Sequence, residues 1–157
     1  MLAEARLLGP EEEVSLDELA RRLKKASPEA GALVVYVGFV KGIVEGRRVE
    51  RLDYEIYEEY TEKRMKRIAE ELAERDPRVK AIVIYHRKGS FRPGEDVVYI
   101  GVAATTRSAA FQTAREAIDR VKHETGILKL ERREDGVYWV LGEGRRIPGG
   151  KSEGKNR

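Results

Sequence analysis

Three pairs of apolar, valine-rich runs, each pair joined by a short turn and each preceded by a helical segment, constrain the fold of this chain more than any other feature. The first pair is GALVVYVGFVKG and RRVERLDYEIY, with Gly42 and Gly46 turning the chain between them. Val49, Leu52, Tyr54 and Ile56 lie mostly on one face of the second run, and a phase slip near Arg51 predicts a β-bulge. The second pair, VKAIVIYHRKG and VVYIGVAAT, flanks SFRPGED, where Pro93-Gly94 stands in the order a type II turn favours. The third, ILKLERRE and VYWVLG, reads as a hairpin across Glu134, Asp135 and Gly136. Short turns of this kind join antiparallel neighbours. The order α-β-β-α-β-β-α-β-β therefore predicts an α+β fold, an antiparallel-rich sheet packed with helices.

The helical segments show the matching 3.6-residue period. Ser15 and Glu18 form a capping box that opens LDELARRLKKA, with Leu16, Leu19, Ala20 and Leu23 on one face and Ser27-Pro28 at its end. A long helix is predicted over Glu58–Arg75, with Met65, Ile68, Ala69, Leu72 and Ala73 as its apolar stripe and Asp76-Pro77 as its stop. Another is predicted over 108–124, with Phe111, Ala114, Ala117, Ile118 and Val121 facing inward and Gly126 ending it. Gly101, inside a strand, marks a close backbone approach or a bulge.

At 157 residues the chain suits one domain, placed at 1–141. Residues 142–157, GEGRRIPGGKSEGKNR, are glycine-rich and basic and are expected to form a mobile tail. Charged residues reach 38%, with 31 basic and 28 acidic, a mixed-sign surface of the kind thermophile proteins use. The pI of about 9.1 raises the possibility of a nucleic-acid-binding module. The net charge is only +3, part of it lies in the tail, and no recognition motif is present, so nucleic acid is not expected as a partner. The chain has no cysteine, which removes disulfides, cysteine nucleophiles and thiolate metal sites. With His86 and His123 the only imidazoles, no metal site is expected. No apolar run reaches the length of a membrane span, and MLAEARLLGPEEE lacks the pattern of a secretory signal. A cytoplasmic protein is expected. Neither GxxxxGK[ST] nor GxGxxG occurs, and no serine sits in a nucleophile elbow.

Lys122 and Lys129 flank Gly126 in AIDRVKHETGILKLERRE. Phe111, Arg115, Ile118 and Lys122 share one side of their helix, which sets Lys122 at the edge of the apolar stripe. Lys129 shares its strand face with Ile127 and Glu131. A chain that reverses at Gly126 can bring both ammonium groups toward one pocket, with Arg107 at the start of the same helix. Clustered cations suit an anionic substrate, and a lysine so placed can lose its proton near neutrality. Spacing alone favours two lysine stems lying over a core edge with solvated heads. ATTRSAAF sets Thr105, Thr106, Arg107 and Ser108 where a strand meets a helix N-terminus, suited to holding a phosphate or to plain capping. Lys41 in GFVKG ends the first strand or is a simple turn lysine. His86, Arg87, Arg92 and Glu95 read as a strand end and turn held by local hydrogen bonds and a His–carboxylate contact.

Taken in order, GALVVYVGFVKG, LDYEIYEEYTEKRM, YHRKGSFRPGEDVVYIGVAATTRSAAFQTAREAIDRVK, ILKLE and YWV resemble the large, catalytic subunit of molybdopterin synthase, over about 31–140. The resemblance implies an α/β-hammerhead-like fold and an enzyme, a sulfurtransferase of molybdenum cofactor biosynthesis. It implies a homodimer of large subunits within a heterotetramer. The partner would be a small ubiquitin-like sulfur-carrier subunit, whose C-terminal Gly-Gly bears a thiocarboxylate and threads into the large subunit's pocket. The substrate would be cyclic pyranopterin monophosphate (precursor Z), a pterin monophosphate that becomes molybdopterin when the dithiolene is installed. No cofactor is implied for the large subunit, and the lack of cysteine fits because the partner brings the sulfur.

The same resemblance matches Lys122 and Lys129 to the family's two catalytic lysines. Phe39, Val40 and Lys41 match a substrate-contacting segment that typically ends in arginine. Thr106 and Arg107 match the usual His-Arg pair, and Leu130 and Glu131 fill the segment after the second lysine. Lys41 keeps the charge of arginine without its bidentate fork. Thr106 offers a hydroxyl where an imidazole would titrate near neutrality. Gly126-Ile127-Leu128 replaces the usual Pro-aromatic-Trp lead. Thr106 leaves open a non-catalytic relative that binds the carrier or the pterin without turnover.

Overall fold

The computed structural model describes residues 2–141 and 144–149. The chain runs β1 (Leu2–Leu8), α1 (Leu16–Lys24), β2 (Ala32–Phe39), β3 (Ile43–Val44), β4 (Arg47–Glu55), α2 (Glu58–Arg75), β5 (Val79–Arg87), β6 (Ser90–Phe91), β7 (Asp96–Ala104), α3 (Arg107–Glu124), β8 (Leu128–Arg133), β9 (Gly136–Val140) and β10 (Arg146–Pro148). One sheet has the order β1-β5-β7-β2, parallel between β1 and β5 and antiparallel elsewhere. The other has the antiparallel order β10-β9-β8-β4-β3, with β6 also paired to β4. The α+β class is the one predicted, and the second and third strand pairs are antiparallel neighbours, β5 with β7 and β8 with β9. The first pair is split instead: β2 pairs with β7 in one sheet and β4 with β8 in the other, so the turn at 42–46 carries the chain between sheets.

Strand alternation builds the two layers of core. Ala81, Val83 and Tyr85 of β5 pack with Leu19 and Leu23 of α1, while Ile82 and Ile84 face Met65, Ile68 and Leu72 of α2 and Val121 of α3. Burying an aliphatic side chain of this size stabilises the fold by roughly 1.5–3 kcal/mol. Gly101 lies on the α1 face of β7, where a Cβ would stand 2.5 Å from Leu23 Cδ1. Close approach is thus the reason for that glycine. The β4–β8 register shifts between Val49 and Arg51, the bulge the phase slip predicts. Ser15 Oγ accepts from Glu18 N at 3.2 Å and caps α1. Gly94 takes φ +89°, as the second central residue of a type II turn requires. Among the described residues, no helix is long and apolar enough to cross a membrane.

Four strands lie outside the expected order. β1 is built from LAEARLL, which has no β-branched residue and favours helix on propensity. It becomes a strand because the edge of β5 offers a backbone partner, from Leu2 opposite Ala81 to Leu8 opposite Arg87. Lys66 of α2 adds a bond from Nζ to Ala3 O at 2.8 Å. β3 and β6 have two residues each, too few to show a period. β10 lies inside the segment expected to be a mobile tail; Arg146–Pro148 instead pairs with β9. Residues 142–143 and 150–157 of that segment lie outside the described residues. Phe111, expected to face inward, is 65% exposed. The inward stripe of α3 runs through Ala109, Ala110, Ala114, Ala117 and Val121, small side chains that let the helix lie close against the sheet.

Candidate active site

The corner between α3 and β8 fixes the two lysines. Thr125 Oγ1 donates to Val121 O at 2.6 Å and closes the helix. From α2, Thr61 Oγ1 donates to Thr125 O at 2.8 Å, and Arg64 Nε donates to Glu124 O at 3.2 Å. Gly126 then takes φ +73°, where a Cβ would be strained and would meet Tyr60 Cε2 at 3.2 Å. The reversal lays β8 against β4, with Lys129 directly opposite Tyr54 and Glu131 opposite Leu52. Lys122 and Lys129 consequently line one cavity of about 540 Å³.

This cavity has apolar walls, including Val40, Val98, Ile118 and Val140, and a graded polar lining. Lys41 and Lys122 are exposed, Lys129 and Arg146 are partly buried, and His86 is buried. Val40 N donates to Glu95 O at 3.1 Å and Gly94 N donates to Val40 O at 2.8 Å, which anchors the segment carrying Lys41. Burial, and then the like charges of Lys122 and Arg146, push Lys129 down to about 8; Lys41 adds to this and Glu131 opposes it. Burial also pushes His86 down to about 4, with help from the charge of Lys129 and opposition from its bond to the Arg87 carbonyl. The phenols of Tyr36 and Tyr54 are raised above their ordinary value by burial.

Glu131 supplies the cavity's negative charge, and arginines hold it. Arg146 grips it bidentately, Nε to Oε1 and Nη2 to Oε2, each at 3.1 Å. Arg133 Nη1 lies 3.9 Å from Oε1, with its guanidinium 3.6 Å over the Tyr138 ring and further bonds to Glu45 and Asp135. The lining therefore has an excess of positive charge, the arrangement an anionic ligand needs.

Of the residues singled out in the sequence, Phe39, Val40, Lys41, Lys122, Lys129 and Glu131 line this cavity. Leu130 does not; it shares the other face of β8 with its partner Trp139. Thr106 and Arg107 stand at the opposite end of α3. Fifteen residues of helix put Arg107 about 22 Å from Lys122 along the axis. A single chain therefore does not bring Arg107 to the lysines, because α3 holds them at its two ends. Thr106 is the N-cap, its Oγ1 accepting from Ala109 N at 3.2 Å. The expected His–carboxylate contact at His86 is also replaced: Nδ1 lies 2.8 Å from Arg87 O. The local turn bond does form, with Glu95 Oε1 accepting from Arg92 N at 2.6 Å.

Four polar lining residues, Tyr36, Tyr54, His86 and Arg146, are not among the site residues that the sequence predicts. His86 follows Ile82 and Ile84 on one face of β5, so its inward direction was readable. Tyr54 shares a strand face with Val49 and Leu52, so its direction is readable in the same way. Arg146 carried no signal, because it sits in a segment whose composition reads as tail.

The chain matches the family described as "MoaE protein" over residues 10–124. It is 36% identical over 123 residues to the molybdopterin synthase catalytic subunit of Pyrococcus abyssi, covering 78% of this chain and 82% of that one. It is 33% identical over 127 residues to the molybdopterin synthase catalytic subunit of Bacillus subtilis, covering 81% and 79%. Among solved structures, the X-ray structure of molybdopterin synthase from Staphylococcus aureus superposes with a TM-score of 0.75 at 29% identity, over 85% of this chain and 94% of that one. A chain of the Helicobacter pylori complex of subunits 1 and 2 of molybdopterin-converting factor shares the fold, with a TM-score of 0.64 at 18% identity, over 94% and 91%.

Proposed function

This chain belongs to the MoaE protein family, and on that premise we propose that it is the catalytic subunit of a molybdopterin synthase, an enzyme of molybdenum cofactor biosynthesis. Its reaction is sulfur transfer to cyclic pyranopterin monophosphate. The sulfur comes from the C-terminal thiocarboxylate of a small ubiquitin-like carrier subunit in the cytoplasm. The observation that carries this reading is the convergence of Lys122 and Lys129, from a helix end and a strand, on one cavity with an excess of cations.

On this reading the lining residues divide the work. Lys41 and Lys122 at the mouth attract the substrate phosphate and the carrier's anionic C-terminus. Lys129, pushed down to about 8, holds or releases a proton near physiological pH. Between them the lysines stabilise negative charge that develops as the thiocarboxylate sulfur bonds to substrate carbon, and they move the accompanying protons. Apolar walls around Ile118, Val121 and Val140 exclude water and strengthen these interactions.

Thr106 and Arg107 enter this reading through a second copy. The expected homodimer of large subunits, within a heterotetramer, would set the α3 N-terminus of one copy beside the cavity of the other. There the free backbone N–H groups and the guanidinium would bind phosphate. The test is to mix the purified protein with thiocarboxylated carrier and cyclic pyranopterin monophosphate and to measure molybdopterin. Formation of a carrier complex without product would reject the enzymatic assignment in favour of a binding relative.

A further inference from the structure

The cavity is divided chemically as well as by depth. Its mouth is cationic, with Lys41 and Lys122 exposed. Farther in stand three uncharged hydrogen-bonding side chains, Tyr36, Tyr54 and His86. His86 is 5% exposed and its Nδ1 lies 2.8 Å from Arg87 O. A carbonyl oxygen only accepts, so Nδ1 carries the proton and Nε2 keeps its lone pair. Among the described residues, the one sealed side-chain nitrogen or oxygen without a partner is Arg87 Nε. Nε2 of His86, which has no partner among those residues, therefore opens on the cavity that His86 lines. Tyr54 fixes the imidazole plane, its ring edge-on at 4.9 Å between centroids. Tyr36 and Tyr54 line the same space, and their hydroxyls likewise have no partner among the described residues.

We infer that His86 is a specificity-determining residue: its Nε2 accepts a hydrogen bond from a ring N–H of a flat, uncharged heterocycle, while the cationic mouth holds an anionic group of the same ligand. The inference rests on the reading that the ligand is a pyranopterin monophosphate, and it names the residue that reads the ring. A pterin presents N–H donors and a carbonyl along one flat edge. An imidazole with a bare Nε2 and two phenol hydroxyls complement that edge without charge. Charge on His86 would spoil the match, since an imidazolium donates and accepts nothing. Burial and the neighbouring Lys129 ammonium keep the ring neutral at pH 7.

Two probes separate the floor from the mouth: tetrahydrobiopterin, a reduced pterin without phosphate, and inorganic phosphate. Calorimetric titration of the full chain should show His86→Phe weakening tetrahydrobiopterin about tenfold or more, the cost of one unmet buried hydrogen bond, with phosphate changed by less than about twofold. His86→Gln, whose amide oxygen can accept, should recover most of the loss. Nitrogen-15 spectra of the unsubstituted protein should show the Nδ1–H tautomer and an Nε2 signal that moves with tetrahydrobiopterin and not with phosphate. Equal pterin affinity in His86→Phe, an Nε2–H tautomer, or no saturable pterin binding to the unsubstituted protein overturns the inference. Should His86→Phe fail to fold, the spectra of the unsubstituted protein decide alone. Pterin binding through His86 without molybdopterin formation would contradict the sulfur-transfer reading and leave this inference standing.

Discussion

Lys129 and Tyr54 are direct cross-strand partners on β8 and β4, so the inner lysine of the pair sits against an aromatic floor, partly withdrawn from water. Burial there costs the ammonium its hydration, and Lys122 and Arg146 add like charge. The folded value of about 8 lies below the unfolded value of 10.5. Below pH 8 the group is charged in both states and the penalty is full. Between pH 8 and 10.5 the unfolded chain binds more protons, so stability rises with pH. Lys129→Met should therefore be more stable than the parent at pH 7, by up to about 3 kcal/mol, with the gain shrinking as pH climbs toward 10.5. Urea unfolding across that range checks it.

His86 sets a second pH window, on the acid side. Its folded value of about 4 lies below the unfolded 6.5. Its neutral form contributes fully above pH 6.5, and that contribution is lost as pH falls toward 4. His86→Gln should lose that part of the acid dependence, up to about 3 kcal/mol between pH 6.5 and 4. The difference between the two unfolding curves isolates it from the carboxylates.

Much of this was legible in the sequence. The strands themselves, the second and third strand pairs, the α2 stripe and the Arg51 bulge follow from period-2 and period-3.6 patterns and short turns, while the first pair is split because β2 and β4 join different sheets. Lys122 at a stripe edge and Lys129 on the face of Ile127 are compatible with one pocket, but it is the family resemblance, and not their spacing, that singles them out. The rest depended on tertiary partners. LAEARLL becomes β1 only because β5 has a free edge, and Arg146 reaches the cavity only because β9 holds β10. Phe111 was misassigned because one large apolar side chain outweighed a stripe of alanines. Arg107 does not join the lysines within one chain, because sequence proximity along a helix is not spatial proximity at its two ends.

The bidentate Glu131–Arg146 pair ties β10 to the cavity. Glu131→Gln leaves two largely buried arginines short of an anion and should destabilise the fold by about 3–5 kcal/mol. Hydrogen exchange should show the Arg146–Pro148 pairing opening faster. Replacing both partners, as Glu131→Leu with Arg146→Met, should cost much less than the single change.

Arg107 and Lys122 should belong to one site only across two copies. If the proposed homodimer forms, mixing Lys122→Ala with Arg107→Ala chains, each expected to be inactive alone, should restore up to about a quarter of parental activity, since half the dimers would be mixed and each would have one intact site. No recovery after subunit exchange would place both residues in the same chain's site, against the length of α3.

The corner that spaces the lysines should be sensitive out of proportion to its size. Thr61→Val removes the bond to the Thr125 carbonyl and should cost about 1–3 kcal/mol. Gly126→Ala forces a side chain into φ +73° and against Tyr60, and should also destabilise. Both should lower turnover more than carrier binding, measured by kcat against carrier affinity.

The most direct test of the lysine pair is single-turnover molybdopterin formation with saturating thiocarboxylated carrier and cyclic pyranopterin monophosphate. Lys122→Ala and Lys129→Ala, both folded and carrier-bound, should each slow the step by about 100-fold or more. Parental rates in Lys122→Ala would contradict the assignment of the pair as the catalytic centre.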